Sequence, residues 1–408
     1  MKRPFHSTAL TALILAVLSP SAQAQTFKVI HDFTGGADGS IPYAGLTIDH
    51  AGSLYGTTSA GGTATHGSVF RLKPSNGSWV LTTLYSFDPL HKDDGASPES
   101  RVIFGPDGSL YGTTTYGGIS NCTNGCGTVY NLRPPQKVCK SAQCSWAETV
   151  LYEFTGGNDG GYPSLADLAF DALGHIYGTT GRYGAYDVGV VFQLSPSGGG
   201  WTESVLLTFD RTNGSYPAAG LLFDEAGNLY GTASYGGQYT YGLAYQLVPA
   251  GSGWSQNVLH AFQGLGDGIG PFGGLIADSA GNLYGTTAVG GARNLGTVFE
   301  LSPSGAGWSY SILYSFSNNG APQDTLAMDA AGNLYGTTYG SASGEYGSVF
   351  KLTPSNSGWT YTNLHTFTGG HDGAHPWGSV ALDAAGNLYG TTPNGGAYGA
   401  GAVWEITP

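Results

Sequence analysis

Short runs of alternating apolar and polar residues follow one another along the chain, separated by turns rich in Gly, Pro, Asn and Asp. In the run from Thr297 to Leu301, the polar Glu300 lies between the apolar Phe299 and Leu301. A period of two residues is typical of a β-strand with one buried face. The same polar position recurs at Arg71, Asn131, Gln193, Gln246, Glu300, Lys351 and Glu405. The pattern therefore predicts an all-β protein built from repeats.

The string LYGTT, or a close variant, marks each repeat. Its Tyr residues are Tyr55, Tyr111, Tyr177, Tyr230, Tyr284, Tyr335 and Tyr389. Successive copies are 51 to 56 residues apart, except for one step of 66 residues that contains all four Cys. Each repeat has four strand-like segments bounded by turn residues, as expected for one blade of a β-propeller.

The ends of the chain favour a closed ring over an open solenoid. Thr26 to Phe33 has the pattern of a fourth strand, and Ala402 to Thr407 has that of a third strand. Joined, they complete a last repeat of 50 residues, similar in length to the others. Ring closure also removes exposed sheet edges. We predict one domain, residues 25–408, that forms a seven-bladed β-propeller of four-stranded antiparallel blades. In it, the N-terminal strand closes the last blade.

These repeats resemble a known family. The strings GNLYGTT, GTVF and LYEFTGG are similar to the tandem repeats called GloVer repeats, which are found in exported bacterial proteins. The resemblance covers residues 25–408. It implies a propeller-like exported protein but no established activity, so it assigns no catalytic residues. Members often carry a C-terminal surface-anchoring segment. This sequence stops at Pro408, directly after its last predicted strand, so we expect release rather than attachment.

Composition narrows the class of protein further. The chain has 69 Gly and 20 Pro among 408 residues, which disfavours helical bundles because Gly destabilises helices. Hydrophobic residues make up 40%, enough for a large core and too many for a disordered chain. With 14 Lys and Arg against 27 Asp and Glu, the chain is a poor partner for nucleic acid.

The N-terminal segment and the Cys residues both indicate export. Residues 1–24 have the basic start, the apolar run and the Ala-Gln-Ala site of a cleaved signal peptide, with cleavage after Ala24. No later apolar stretch is long enough to cross a membrane, so we expect a secreted or periplasmic monomer. In an exported protein, Cys122, Cys126, Cys139 and Cys144 favour disulfides over a zinc site. We expect local pairs, Cys122–Cys126 and Cys139–Cys144, although three pairings are open.

Two loops of each repeat contain the candidate binding residues. The loop after the fourth strand has an Asp or Asn before Gly, at Asp38, Asp94, Asp159, Asn213, Asp267, Asn319 and Asp372. The loop between strands two and three contains Tyr116, Tyr183, Tyr235 and Tyr339. Both loops should open on one face, where carboxylates and flat rings suit sugar hydroxyls or a jointly bound calcium ion. The alternative is that the Asp-Gly pairs only form tight bends.

Other recurring residues have structural interpretations. The turn after the first strand carries one Asp in most repeats, too few oxygens for calcium, so we expect an Asx-type turn. Six Trp residues near the start of fourth strands should pack between blades rather than stack on sugars. His31, His260 and His365 stand where other repeats have Tyr, which argues for packing. His371, Asp372 and His375 have ligand-like spacing but form no complete metal site.

Three functions remain open. The leading interpretation is a non-enzymatic exported module that binds extracellular glycan or a protein partner through the loop face, with no cofactor apart from the calcium alternative. The second is a polysaccharide lyase or hydrolase with its site in the central channel, which would require a carboxylate pair or another set of residues confined to a few blades. The third is a purely structural secreted or matrix protein.

Overall fold

The fold is all-β. The computed structural model describes residues 25–88, 94–118, 121–135, 146–251, 253–305, 307–340 and 344–408, and in these ranges the chain forms strands and turns without a helix. No segment in those ranges is therefore a membrane-spanning helix. The predicted signal peptide, residues 1–24, lies outside the described residues.

Seven four-stranded antiparallel sheets form the seven predicted blades of the propeller. Blade 1 consists of β2 (Thr47–Ile48), β3 (Leu54–Thr58), β4 (Ser68–Ser75) and β5 (Ser78–Ser86); blade 2 of β7 (Ile103–Phe104), β8 (Leu110–Thr114), β10 (Thr128–Arg133) and β11 (Ala147–Glu153); and blade 3 of β12 (Ala169–Phe170), β13 (Ile176–Thr180), β14 (Val190–Ser197) and β15 (Gly200–Thr208). Blade 4 consists of β16 (Leu222–Phe223), β17 (Leu229–Ala233), β18 (Leu243–Ala250) and β19 (Gly253–Ala261); blade 5 of β20 (Ile276–Ala277), β21 (Leu283–Thr287), β22 (Thr297–Ser304) and β23 (Gly307–Ser315); blade 6 of β24 (Ala327–Met328), β25 (Leu334–Thr338), β26 (Ser348–Ser355) and β27 (Gly358–Thr366); and blade 7 of β28 (Ala381–Leu382), β29 (Leu388–Thr392), β30 (Ala402–Thr407) and β1 (Thr26–Asp32). Two further short strands, β6 (Gly95–Ala96) and β9 (Tyr116–Gly117), pair with each other outside the blades.

The first strand of the chain closes the ring, as predicted. β1 pairs antiparallel with β30, with Lys28 opposite Glu405 and Val29 opposite Trp404, and becomes the fourth strand of blade 7. Every blade has an irregular register between its third and fourth strands, as between Val69 and Phe70 in blade 1. Such β-bulges bend a strand and increase its twist.

The Gly of LYGTT makes room for an aromatic ring. In blade 5, Gly285 lies opposite Phe299 on the next strand, and a Cβ added at Gly285 would lie 2.6 Å from Cζ of that ring. The other blades repeat this arrangement with Phe70, Tyr130, Phe192, Tyr245, Phe350 and Trp404, all fully buried. The glycine is therefore required by packing within the blade, not by a turn.

The hydrophobic core consists of clusters between adjacent blades. In one of them, Tyr230 of blade 4 packs with Leu283 and Phe299 of blade 5. The predicted packing of the strand-start Trp residues is confirmed, since Trp308 meets Tyr230 edge to face at 6.1 Å and Trp79 meets Tyr389 in the same way across the closure of the ring. Each Å² of apolar surface that is buried contributes about 25 cal/mol to stability, so these aromatic contacts hold neighbouring blades together.

A ring of threonines also links the blades. In six blades the second-strand Thr donates its hydroxyl to a backbone carbonyl at the inner strand of the next blade, as Thr232 does to the carbonyl of Gly273 at 2.9 Å. The other five donors are Thr57, Thr113, Thr179, Thr286 and Thr391. Thr337 of blade 6 differs, because its hydroxyl contacts the side chain of Asp324 in its own blade at 3.2 Å.

The turn after each inner strand is closed by an Asp, as expected for an Asx-type turn. Asp278 Oδ1 accepts the backbone N–H groups of Ala280 and Asn282, and its Oδ2 accepts the hydroxyl of Tyr284 at 3.0 Å. Blade 2 has no Asp at this place, yet Asp107, later in the turn, accepts the hydroxyl of Tyr111. The bond from the LYGTT tyrosine is therefore present in blade 2 despite the different sequence.

The first predicted disulfide is present. Cys122 and Cys126 are bonded in the long loop before β10, with Cα atoms 5.1 Å apart. Cys126 and Cys122 both pack into a core cluster with Phe154. The second predicted pair, Cys139–Cys144, lies outside the described residues.

Candidate binding site at the mouth of the central channel

The two candidate loops of each blade lie side by side. Ser215, in the loop before blade 4, bridges to Tyr235 in the loop between strands two and three of that blade, and Ala374 bridges to Asn394 in blade 7 in the same way. In blade 2 the contact becomes the short pair β6–β9. Both loops therefore open on one face of the propeller, which we call the mouth face.

The ring of Asp residues on this face braces the loops. Asp159 Oδ2 accepts the backbone N–H of Thr155 at 2.7 Å and the hydroxyl of Tyr152 at 3.0 Å. Asp372 makes the equivalent bonds to Thr368 and His365. Asp38, Asp94 and Asp267 likewise accept a backbone N–H in the loop and contact His31, Tyr85 and His260 respectively. Most acceptor positions of these carboxylates are thus occupied within the loop.

These bonds also explain the exchange of His with Tyr on the fourth strand. Both side chains offer a donor that reaches the loop Asp, so either residue type serves. The two blades that carry Asn use other bonds. Asn213 accepts the N–H of Asp210, and Asn319 exchanges two hydrogen bonds with the backbone of Gly347.

Two of the ring carboxylates have a second carboxyl nearby. Glu148 lies near Asp94 and Glu203 lies near Asp159. Burial, reinforced by the neighbouring Asp, raises the pKa of Glu148 to about 8 and that of Glu203 to about 7. Burial also raises the pKa of Asp94. These pairs lie at the outer strands, away from the channel.

The candidate Tyr residues belong to three clusters of aromatic rings on the mouth face, which together we call the belt. Tyr162 is in edge-to-face contact with both Tyr116 and Tyr183, each at 5.3 Å between ring centroids. Tyr235, which is 46% exposed, contacts Phe272 at 5.7 Å and Tyr216 at 6.1 Å.

The belt continues over blades 6, 7 and 1. Tyr339 stacks on His375 at 4.5 Å and meets Trp377 at 5.3 Å. Trp377 in turn meets Tyr43 at 6.2 Å. The channel-lining rings Tyr43, Phe272 and Trp377 therefore belong to the same clusters as the loop residues Tyr235 and Tyr339.

An unusual backbone conformation presents part of this belt. The residue before the loop-ending Pro has a left-handed φ in every blade, as at Tyr162 (55°), Tyr216 (57°) and His375 (56°). This conformation is strained for residues other than Gly, especially before Pro. Backbone hydrogen bonds on both sides hold it, since Tyr216 donates to the carbonyl of Val188 and accepts from the N–H of Ser234.

Just beyond each Pro the chain enters the central channel. Its narrow cavity, about 40 Å³, has room for a few water molecules. The residues that line its entrance differ from blade to blade: Tyr43, Glu99, Leu165, Ala218, Phe272, Gln323 and Trp377. We call this set the channel mouth.

The ion pair of the channel lies in blades 2 and 3. Arg101 and Asp167 form an ion pair at 2.9 Å. Glu99 accepts the hydroxyl of Thr115 at 2.8 Å, and burial raises its pKa. Burial and the charge of Glu99 raise the pKa of Tyr43. The mouth thus has Glu99 and the ion pair at blades 2 and 3, and aromatic rings at blades 5, 7 and 1.

Asp324 lies just before the inner strand of blade 6. No other repeat has a carboxyl residue at this position. Its Oδ2 accepts the N–H of Thr337 at 3.1 Å, whereas its Oδ1 has no partner within the described chain. Complete burial raises the pKa of Asp324 to about 8. The group is thus a neutral acid at neutral pH and lines the cavity.

Metal ligation has little support in the described ranges. They contain no group of three or more His, Cys, Asp or Glu side chains arranged to hold a metal ion. The motif from His371 to His375 does not converge, because Asp372 binds His365 and His375 contacts the carbonyl of Tyr339. Calcium binding remains a prediction.

Sequence reasoning missed Tyr43, Phe272 and Trp377 as mouth residues. A signal was available, because the position after the loop-ending Pro changes in every repeat while its neighbours recur. Variation at one place in an otherwise repeated frame indicates a position that the fold does not constrain.

Comparison with known proteins agrees with the repeat pattern. The model of the Gloeobacter/Verrucomicrobia repeat matches residues 16–145, 123–276 and 222–408. No curated protein matches the chain. Among solved structures, it is similar to a protein assigned as a 6-phosphogluconolactonase from Bacteroides uniformis, with a TM-score of 0.52, 12% identity, and coverage of 78% of this chain and 83% of that chain. It is also similar to the extracellular domain of a protein assigned as a hybrid two-component system from B. thetaiotaomicron, with a TM-score of 0.54, 12% identity, and coverage of 93% of this chain and 39% of that chain. At this identity the similarity concerns the fold alone.

Proposed function

This chain belongs to the Gloeobacter/Verrucomicrobia repeat family, and from that premise and the geometry of the mouth we propose that it is an exported, non-enzymatic protein that binds a neutral glycan. The observation that carries the proposal is the set of aromatic clusters at the mouth, in which Tyr235 contacts Phe272, and Tyr339 contacts Trp377, which in turn contacts Tyr43. Flat rings with polar edges pack against the apolar faces of sugars while their hydroxyls remain bonded.

The charge of the mouth favours an uncharged ligand. The chain has a net charge of −13, and Arg101 at the channel is already paired with Asp167. An anionic glycan would meet Glu99 and Asp167 without a free cation among the channel-lining residues described here. A neutral glycan avoids this repulsion and uses Glu99 as a hydrogen-bond partner for its hydroxyls.

The size of the channel favours binding of the glycan across the mouth rather than inside. A cavity of about 40 Å³ holds water but no sugar ring. The proposed contact surface is therefore the belt itself, with Tyr116, Tyr183, Tyr235 and Tyr339 as contact residues. The loop Asp residues, whose carboxylates bond within their loops, act as positioning residues.

Export is supported by two features of the chain. Its first 24 residues have the pattern of a signal peptide, and Cys122 and Cys126 are bonded, which suits an oxidising compartment. Purification from the periplasm and medium, followed by N-terminal sequencing, tests both. We expect Gln25 as the first residue.

The binding proposal is tested on a glycan array with the mature protein. We expect binding to a set of neutral glycans, reduced at least tenfold by Trp377→Ala. Trp308→Ala, at an interface between blades, is the matched control and should leave binding unchanged at temperatures where the variant is folded. A blank array for a fully folded protein would overturn the proposal and favour a protein partner or a structural role.

A polysaccharide-active enzyme is a second candidate. The buried acid Asp324 favours it, but Asp324 lines a cavity too narrow for a sugar ring, so this candidate requires the channel to open. General acids in enzymes have carboxyl pKa values raised in this way by burial. Incubation with neutral polysaccharides and an assay for reducing ends or unsaturated products test it. Product that disappears in Asp324→Asn would establish this candidate in place of the binding module.

A further inference from the structure

The loop before blade 6 is shorter than the other six inter-blade loops. Pro322 follows the strand-end Phe316 by six residues, whereas the same step is eight to eleven residues in the other loops. The deletion falls in the Gly-Gly-x-Asp-Gly segment, which is reduced here to Asn318-Asn319-Gly320.

The longer loops cover the fourth strand of the blade that they precede. In blade 5, Tyr310 donates its hydroxyl to the carbonyl of Asp267 in the preceding loop at 2.8 Å. In blade 4, Gln256 donates to the carbonyl of Asn213 at 2.9 Å. These contacts fill the space between loop and strand.

In blade 6 the described residues of the shortened loop make no such hydrogen bond to the fourth strand. Tyr361 occupies the position of Tyr310, but it lines a pocket of about 320 Å³ below the shortened loop. Its lining includes Asn319, Glu345, Tyr346, Tyr361, Asn363 and Thr366. Its size is at the lower end of the range for small-molecule sites.

The walls of the pocket are held in place before any ligand arrives. Tyr361 is stacked on Tyr314 at 4.4 Å. Tyr346 packs so closely on Gly369 that a Cβ there would lie 2.6 Å from its ring. Asn319 holds the loop by its two bonds to Gly347, and its N–H donates to Glu345 at 2.9 Å. Preorganised walls reduce the cost of binding.

Asn363 is an exposed polar residue at the edge of the pocket, and it departs from the residue found in most repeats. Five other blades have an apolar residue at this position, namely Val29, Val150, Val205, Val258 and Ile312, and blade 1 has Thr83. The apolar side chain faces solvent in blades 3 and 4. In blade 6 an amide takes the place of that apolar side chain beside the hydroxyl of Thr366 at 2.7 Å.

We propose that this pocket, formed where the loop before blade 6 is shortened over Tyr361 and Asn363, binds one neutral sugar unit. Amides, hydroxyls and aromatic rings are the groups that recognise a polyol. The pocket lies next to the channel mouth, because Tyr346 contacts His375 at 5.7 Å and His375 stacks on Tyr339. A glycan on the mouth reaches the pocket along these rings, and this extension rests on the proposed function.

Saturation-transfer NMR with glucose, galactose, mannose, xylose and N-acetylglucosamine, each at high millimolar concentration, tests the pocket alone. We expect transfer to at least one of these sugars, and an increase in its Kd of at least fivefold in Asn363→Val. Since Val is the residue of blades 2 to 4, this variant should keep the melting temperature. Val258→Asn, which places the amide in blade 4 without a pocket, is the control and should change neither property.

Two outcomes overturn the pocket: no transfer to any of the five sugars, or transfer that Asn363→Val leaves unchanged. Trp377→Ala separates the pocket from the mouth, because it should reduce array binding at least tenfold and preserve monosaccharide transfer. If Trp377→Ala reduces array binding but Asn363→Val leaves saturation transfer unchanged, the pocket is overturned and the mouth site stands. If the array is blank but transfer depends on Asn363, only the mouth fails.

Discussion

The repeated residues are uniform on one face of the propeller and variable on the other. On the face of the first turns, a carboxylate receives the LYGTT hydroxyl in every blade, including blade 2, where Asp107 replaces the usual Asp. On the mouth face, the residue after the Pro is Tyr43, Glu99, Phe272 or Trp377 depending on the blade. The fold therefore constrains the first face, and the second is free to diverge for binding.

The carboxyl groups of the two regions also differ in their pKa. Burial would raise the pKa of Asp278 on the turn face, but hydrogen bonds from Asn282 and Tyr284 lower it overall. Asp324 in the channel is raised to about 8, because its burial is compensated by few bonds. A charged turn Asp stabilises the fold, whereas an ionised Asp324 would destabilise it.

The largest expected contrast is between two Trp residues. Trp308→Ala removes a contact between blades and should lower the free energy of unfolding by about 2–3 kcal/mol. Trp377→Ala, at the mouth, should change it by less than about 1 kcal/mol. Denaturant titration of both variants measures this contrast, and equal losses would remove the distinction between the faces.

Asp324→Asn should stabilise the protein in a pH-dependent manner. The folded pKa, about 8, lies above the ordinary value of 3.8, so the folded state binds the extra proton. The wild type then loses stability as pH rises between about 4 and 8. The variant has no such loss, so its advantage should grow to the order of a few kcal/mol at pH 8. Melting curves at pH 5 and pH 8 check this, and an advantage that is the same at both values would contradict it.

A smaller effect is expected from single hydroxyls. Tyr284→Phe deletes the bond to Asp278 and should lower the free energy of unfolding by about 1 kcal/mol. Tyr235→Phe removes an exposed hydroxyl of the belt and should leave stability within about 0.5 kcal/mol. Thermal unfolding compares the pair, and a destabilised Tyr235→Phe would show that the mouth face also supports the fold.

The smallest effect concerns calcium. The carboxylates of the mouth-face loops already accept bonds within their loops, so millimolar calcium should shift the melting temperature by less than about 1 °C. Calorimetry with and without a chelator measures the shift. A rise of several degrees would restore the calcium alternative.

The sequence predicts the blades because the residues that shape them repeat. Gly285 under Phe299 and Asp278 beside Tyr284 are local pairs, so their spacing along the chain reveals them. The belt and the pocket join residues from several blades, such as Tyr43 with Trp377, which are distant in sequence. Their contacts depend on ring closure and on loop lengths, and no single repeat contains that information. Asp324 was missed for the same reason.

The closure of the ring through β1 has a consequence for biogenesis. Asp32 accepts a hydrogen bond from Ala397, a residue 365 positions later, so the last blade cannot be completed until the end of the chain is available. Contacts of such long sequence separation form late and slow folding. During synthesis and translocation, the growing chain would expose the unpaired edge of β1. A chaperone that shields this edge would therefore be most useful just before the final residues emerge.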